Sequence, residues 1–190
     1  MSRIVDHSAR RQQVIRIARE LSLSHGLEAM TVRAIAKATG FSTAIVSYYF
    51  TDKSELAMLV FKDALAISER RFQAPVEAGA PLSECLRALL PIDEELRDVW
   101  RTWFAFWSLT VSDTGFRAVQ IERTEVLVAA LEQLLQREGA ALPDIDTAAR
   151  RLFAAILGIS VQAVHDPERW PAERQFALLD VEIACLLGPA

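Results

Sequence analysis

TVRAIAKATGFSTAIVSYYFTDK, residues 31–53, reads as two short helices joined by a tight turn. The first covers Val32 to Ala38. Thr31 stands before it as N-cap, its hydroxyl offered to an orphan amide of the first turn. Ile35 and Ala36 face inward and Arg33 and Lys37 outward, as a surface helix requires. Gly40 sits where the chain reverses, because glycine reaches positive φ without a Cβ clash. Ser42 caps a second helix, Thr43 to Tyr48, anchored by Ile45 and Val46. Thr43, Ala44, Ser47 and Tyr48 are left for its open side. Two helices over a glycine turn, the second displaying small polar groups, form a helix-turn-helix. The second helix of such a motif lies in a DNA major groove and the first crosses the backbone.

The flanks extend this unit. Residues 8–25 predict a helix with Ser8 as N-cap, with Val14, Ile17, Ala18 and Leu21 at i, i+3, i+4 and i+7. Gly26 ends it, and its apolar stripe packs on the pair to give a three-helix unit. Arg10 and Arg11 lie near its start, either facing a phosphate or simply solvated. Asp52 opens a long helix to about Phe72, and Asp52 with Glu55 approximates a capping box. Gln73 to Pro81, containing APVEAGAP, predicts a loop. Further helices follow over Leu82–Leu90, cut by Pro91, then Asp93–Thr110, then Thr114–Glu138 with Asp113 as cap and Gly139 as stop. Another starts at Pro143 to Asp146 and runs to His165, stopped by Asp166-Pro167. Pro171 opens the last, which ends near Gly188. The class is all-α, about nine helices, with a first domain over 1–51 and a second over 52–190.

Thr31-Val32-Arg33-Ala34-Ile35-Ala36, Gly40-Phe41-Ser42, Tyr48-Tyr49-Phe50 and Asp52-Lys53-Ser54-Glu55-Leu56 together resemble the DNA-binding signature of TetR-family transcriptional regulators. The Ser47-Tyr48-Tyr49-Phe50 version is similar to the BetI-like branch, whose best-known members repress choline-to-glycine-betaine genes. Ala44 stands where many members carry glycine, and Tyr49 where many carry histidine. The resemblance implies a homodimeric repressor that leaves a palindromic operator when a small molecule binds the C-terminal domain. It implies phosphate contacts from Thr31, Tyr49 and Lys53, with Arg33 beside them. Ser42, Thr43, Ala44, Ser47 and Tyr48 then face the bases. The alternative is a helical ligand-binding or adaptor protein that has lost specific DNA binding.

Charge supports the first reading. The chain of 190 residues carries a net charge of −4. Residues 1–53 hold eight basic groups (Arg3, Arg10, Arg11, Arg16, Arg19, Arg33, Lys37, Lys53) against four acidic ones (Asp6, Glu20, Glu28, Asp52). This segment is therefore +4 and the remainder −8, a basic module on an acidic body. No stretch approaches the about 18 uninterrupted apolar residues of a membrane span, and MSRIVDHSARRQQ lacks the apolar region of a secretory signal. The expected location is cytoplasmic, with Cys85 and Cys185 as reduced, half-buried thiols. His7, His25 and His165 have no metal-ligand spacing. There is no GxSxG, P-loop or GxGxxG, and no enzyme, metal or cofactor is expected.

Two further patterns carry candidate sites. Trp100, Trp103, Phe104 and Trp107 fall on one face of one helix. That stripe is either core or the wall of a ligand cavity. Tryptophan faces attract quaternary ammonium groups, and with the family resemblance choline is the first effector to consider, a neutral hydrophobic molecule the second. The last two helices are too apolar for one buried stripe each. Phe153, Ile156, Leu157, Phe176, Leu179 and Ile183 are the candidate seam with a second copy, which the resemblance pairs into a four-helix bundle.

Overall fold

The structure is a computed structural model that describes residues 7–139 and 142–187. Arg3, Asp6 and the helix end near Gly188 lie outside these. Among the described residues there are nine α-helices, one 3-10 turn and no strand. The chain forms two compact units, Met1–Ala66 with Arg101–Ser108, and Ile67–Trp100 with Leu109–Ala190.

In the first unit, α1 (His7–His25) leads through the 3-10 turn Leu27–Ala29 to α2 (Val32–Thr39) and α3 (Thr43–Ser47). Ser8 is not a cap, since the helix already includes His7. The buried face of α1 is Val14, Ile15, Ala18 and Ser22, one position rotated from the expected stripe. Ile17 and Leu21 are half-buried, and Ser22 is accommodated because its hydroxyl donates to the Arg19 carbonyl at 2.7 Å. Thr31 Oγ1 accepts from the Ala34 amide at 3.1 Å and Ser42 Oγ from the Ile45 amide at 3.2 Å. Gly40 takes φ 75° between them, the left-handed conformation that favours glycine. A five-residue helix cannot persist alone. The α3 helix stands on its Ser42 cap and on Val46, which is fully buried.

The next helix, α4 (Lys53–Glu77), contributes to both units. Asp52 Oδ1 accepts from the Glu55 amide at 2.8 Å. Glu55 reaches back to the Thr51 amide at 2.6 Å, one residue before the cap of a standard capping box. The helix does not stop at Phe72. It continues through Pro75, which lies in its last turns. There the proline leaves the Arg71 carbonyl without its helical N–H donor, and the helix runs on for only two more residues. The true stop is Gly79 at φ 71°, where the Ala80 amide bonds the Pro75 carbonyl at 3.0 Å and the Gly79 amide the Val76 carbonyl at 3.0 Å. This paired closure is a Schellman end.

The second unit contains α5 (Leu82–Arg87), α7 (Thr114–Arg137), α8 (Ile145–His165) and α9 (Ala172–Leu187). Between α5 and α7, α6 (Glu94–Ser112) again contributes to both units. Asp93, Asp113 and Asp144 cap α6, α7 and α8 through their carboxylates. Pro81 offers α5 no side-chain cap. Glu138 at the end of α7 supplies one instead, accepting from the Leu82 amide at 3.0 Å. Arg151, early in α8, pairs with Glu182, late in α9, at 3.0 Å, so the two helices run antiparallel. By length and composition α8 could cross a membrane, but Leu152, Ile156, Ile159 and Ala163 are buried in the unit's core. The thiols differ from expectation: Cys85 is buried and Cys185 exposed.

Candidate nucleic-acid interface

The caps of α2 and α3 decide what the interface offers. Thr31 and Ser42 use their hydroxyl oxygens as acceptors within the helix starts. Each O–H remains a donor for a phosphate or base acceptor. Thr43, Ala44, Ser47 and Tyr48 are all exposed, Tyr48 at 74%. Tyr49 is half-buried, and its ring meets Tyr48 edge-on, centroids 5.4 Å apart. The His7 ring, at the start of α1, lies 5.8 Å from the Tyr48 ring. An apolar depression of about 260 Å³ opens here, lined by His7, Arg10, Ala44, Ile45, Tyr48 and Tyr49.

The basic groups divide into paired and unpaired. Arg16 pairs with Glu20 at 3.0 Å and Arg19 with Asp63 at 3.3 Å. The Arg10 guanidinium stacks on the Phe41 ring at 5.6 Å, which fixes it beside the turn rather than free in solvent. Arg33 and Lys37 are exposed and have no ion pair among the described residues. Lys53 Nζ lies 2.5 Å from Glu28 Oε2. The sequence gives no sign of this contact, since the partners are 25 residues apart. At the start of α4 the Thr51 amide and hydroxyl hold the Glu55 carboxyl below its usual range.

The aromatic stripe is distributed over the two units. Trp100, in the second, is buried, and its indole N–H donates to the Leu89 carbonyl at 2.8 Å, so this member has a core role. Trp103 is buried in the first unit. Phe104 and Trp107 are half-buried there, rings 5.3 Å apart. In the last two helices, Ile156 and Leu179 lie in the second unit's own core. Phe153, Leu157, Phe176 and Ile183 are half-buried. The Arg87 guanidinium covers the Phe176 ring at 4.8 Å while bonding Asp180 at 2.6 Å. The most exposed apolar side chains of α9 are Val181, at 56%, and Leu178.

A capped pair of helices over a left-handed glycine, with a polar exposed second helix, defines a helix-turn-helix DNA-binding regulator. Comparison with known proteins narrows the class. Residues 14–58 match the bacterial regulatory proteins of the tetR family, and residues 78–188 match the C-terminal domain of BetI-type transcriptional repressors. The chain belongs to the TetR family, with a BetI-type C-terminal domain, and is a transcriptional regulator rather than an enzyme. It is 26% identical to the HTH-type transcriptional regulator PksA of Bacillus subtilis over 98% of this chain and 95% of that one. It is 29% identical to the HTH-type transcriptional regulator BetI of Paraburkholderia phymatum over 69% of each chain. Among solved structures it is similar in fold to a transcriptional regulator of Saccharomonospora viridis in complex with choline. That match has a TM-score of 0.81 at 21% identity and covers 93% of this chain and 96% of that one.

Proposed function

We propose that this regulator is a cytoplasmic homodimeric repressor. In this reading residues 1–51 are the DNA-binding domain and residues 52–190 the ligand-binding and dimerisation domain. The observation that carries it is the exposed polar row Ser42, Thr43, Ser47 and Tyr48 on a helix fixed by Val46. Such a row reads base edges, while Thr31, Arg33, Tyr49 and Lys53 at its margins meet phosphates and set the register. Two copies reach successive major grooves about 34–36 Å apart on a palindromic operator. Effector binding favours a dimer with the wrong half-site spacing, and by linkage effector and operator weaken each other.

The effector reading is choline or a related quaternary ammonium ion, with a neutral hydrophobic molecule as the second reading. Choline in the Saccharomonospora viridis relative supports the first. The half-buried Phe104 and Trp107 supply the π-faces that such a cation prefers. A mobility-shift titration of the chain's own upstream region tests the whole. Tight, salt-sensitive binding, released by choline at millimolar levels or below, supports both parts. Weak binding indifferent to sequence returns the alternative, a ligand-binding protein without specific DNA contact. Release by a neutral compound alone removes the choline assignment and keeps the repressor.

A further inference from the structure

We infer that Glu28 is an affinity-setting residue of the DNA-binding face, a built-in anion that competes with operator phosphate for Lys53. The inference rests on the reading of Lys53 as a phosphate contact. Glu28 sits in the 3-10 turn between α1 and α2, three residues before Thr31, another expected phosphate contact. Its side chain is 94% exposed, so it adds nothing to the core. It nonetheless lies 2.5 Å from Lys53 Nζ, in a segment whose overall charge is positive.

An ammonium group carries three donors, so Lys53 could hold Glu28 and a phosphate together. The tetrahedral spread of those donors then puts the two anions about 4.5 Å apart. In a solvent-facing site, like charges at that separation weaken binding about three- to five-fold per half-site, or roughly ten- to twenty-five-fold for a dimer. If Glu28 instead swings away, the ion pair is lost on binding and affinity again falls. Phosphates are the same in every sequence, so the effect applies to operator and bulk DNA alike. For a fixed coupling between effector and operator, weaker DNA binding lets less effector empty the site. Glu28 therefore places the operator within reach of release.

The test compares wild type, Glu28→Gln, Glu28→Ala and Lys53→Met by fluorescence anisotropy. Each is titrated with the duplex that wild type protects and with a scrambled duplex of equal length, over a salt series. Removing the carboxylate should tighten both duplexes by a similar factor, about ten-fold or more for a dimer. It should also raise the effector concentration needed for half-release. In the Lys53→Met background Glu28→Gln should change affinity less than about two-fold. Unchanged or weaker binding by both Glu28 variants, with wild-type melting curves, overturns the inference. A Lys53→Met protein that keeps the wild-type salt slope, or a wild type that does not prefer its own duplex, overturns it by removing the reading beneath it. Both are visible before any Glu28 variant is measured.

Discussion

Arg150 of α8 and Glu125 of α7 meet through two parallel hydrogen bonds, Nη1 to Oε1 at 3.1 Å and Nη2 to Oε2 at 3.0 Å. The remaining guanidinium nitrogen, Nε, bonds both carboxylate oxygens of Asp146 at 3.0 Å. The fork geometry suits arginine and no other cation. Held between two carboxylates, Arg150 has its pKa pushed further up, chiefly by Glu125 and then Asp146. In return the Arg150 hydrogen bonds hold Glu125 below its usual range.

Acid stability follows from such carboxylates. Glu125 and Glu55 lie below an ordinary value of 4.5. Asp93 and Asp144 lie below one of 3.8. Burial pushes Asp93 up, but the Leu96 amide and the Arg71 guanidinium outweigh it. For Asp144 the Thr147 hydroxyl and amide are responsible. A carboxyl with a depressed folded pKa protonates first in the unfolded chain, so its contribution is complete above the ordinary value and is lost as pH falls through the folded one. Urea midpoints should be level from about pH 7 to 5 and drop below about pH 4.5. A midpoint that rises on acidification contradicts this.

Asp93 holds two positions at once. It caps α6 through the Leu96 amide at 2.9 Å and pairs with Arg71 of α4 at 2.5 Å. Asp93→Ala should cost about 1–2 kcal/mol, mostly the cap, and lower Tm by roughly 2–8 °C in a chain of this size. Arg71→Gln should cost less, since the pair is partly exposed. Calorimetry that ranks the two the other way would assign the main role to the ion pair.

On DNA the two expected kinds of contact separate by salt. Lys53→Ala should weaken all duplexes alike and flatten the log K against log salt slope by about one unit per half-site. Thr43→Ala should leave the slope intact and relax one base position, by about 1 kcal/mol or more. If Lys53→Ala alters sequence preference at constant slope, the two roles have been exchanged.

For assembly, Val181→Glu places a charge on the exposed face of α9 and should yield a folded monomer by light scattering with weakened operator binding. Leu179→Glu is a different experiment. Leu179 is fully buried in the chain's own core, so a carboxylate there should lower stability by about 3 kcal/mol or more, whatever the oligomeric state. Gly158 adds a second check. It lies inside α8, is exposed, and has nothing within 4 Å of an added Cβ. Nothing in its own chain requires a glycine there. Gly158→Leu should leave the monomer's helix content intact while raising the dimer dissociation constant if a partner helix approaches at that point. A dimer indifferent to both Val181→Glu and Gly158→Leu has its seam elsewhere.

What was legible in the sequence was local. The caps Thr31, Ser42 and Asp113 and the reversal at Gly40 each depend on residues within three or four positions, and each forms as read. The composition of Gln73–Pro81 misled because α4 carries Pro75 within its last turns and closes only at Gly79. Ile156 and Leu179 were illegible as core because a helix with two apolar stripes does not say which one meets its own chain. Glu28 was missed for a related reason, since no periodicity joins it to Lys53. The exposed row of α3 was readable because Ile45 and Val46 left only one side open.

Tyr48 and Tyr49, edge to face at the end of α3, are the two tyrosines of the chain, and its four tryptophans begin at Trp100. The protein is thus optically partitioned. Phenol absorbance and emission arise only where DNA is expected to dock, and indole emission arises only from residues 100–170. Excitation that spares tyrosine follows the indoles alone, and a difference spectrum recovers the phenols. One unlabelled sample can therefore be followed at the end of α3 and at the tryptophans on separate channels.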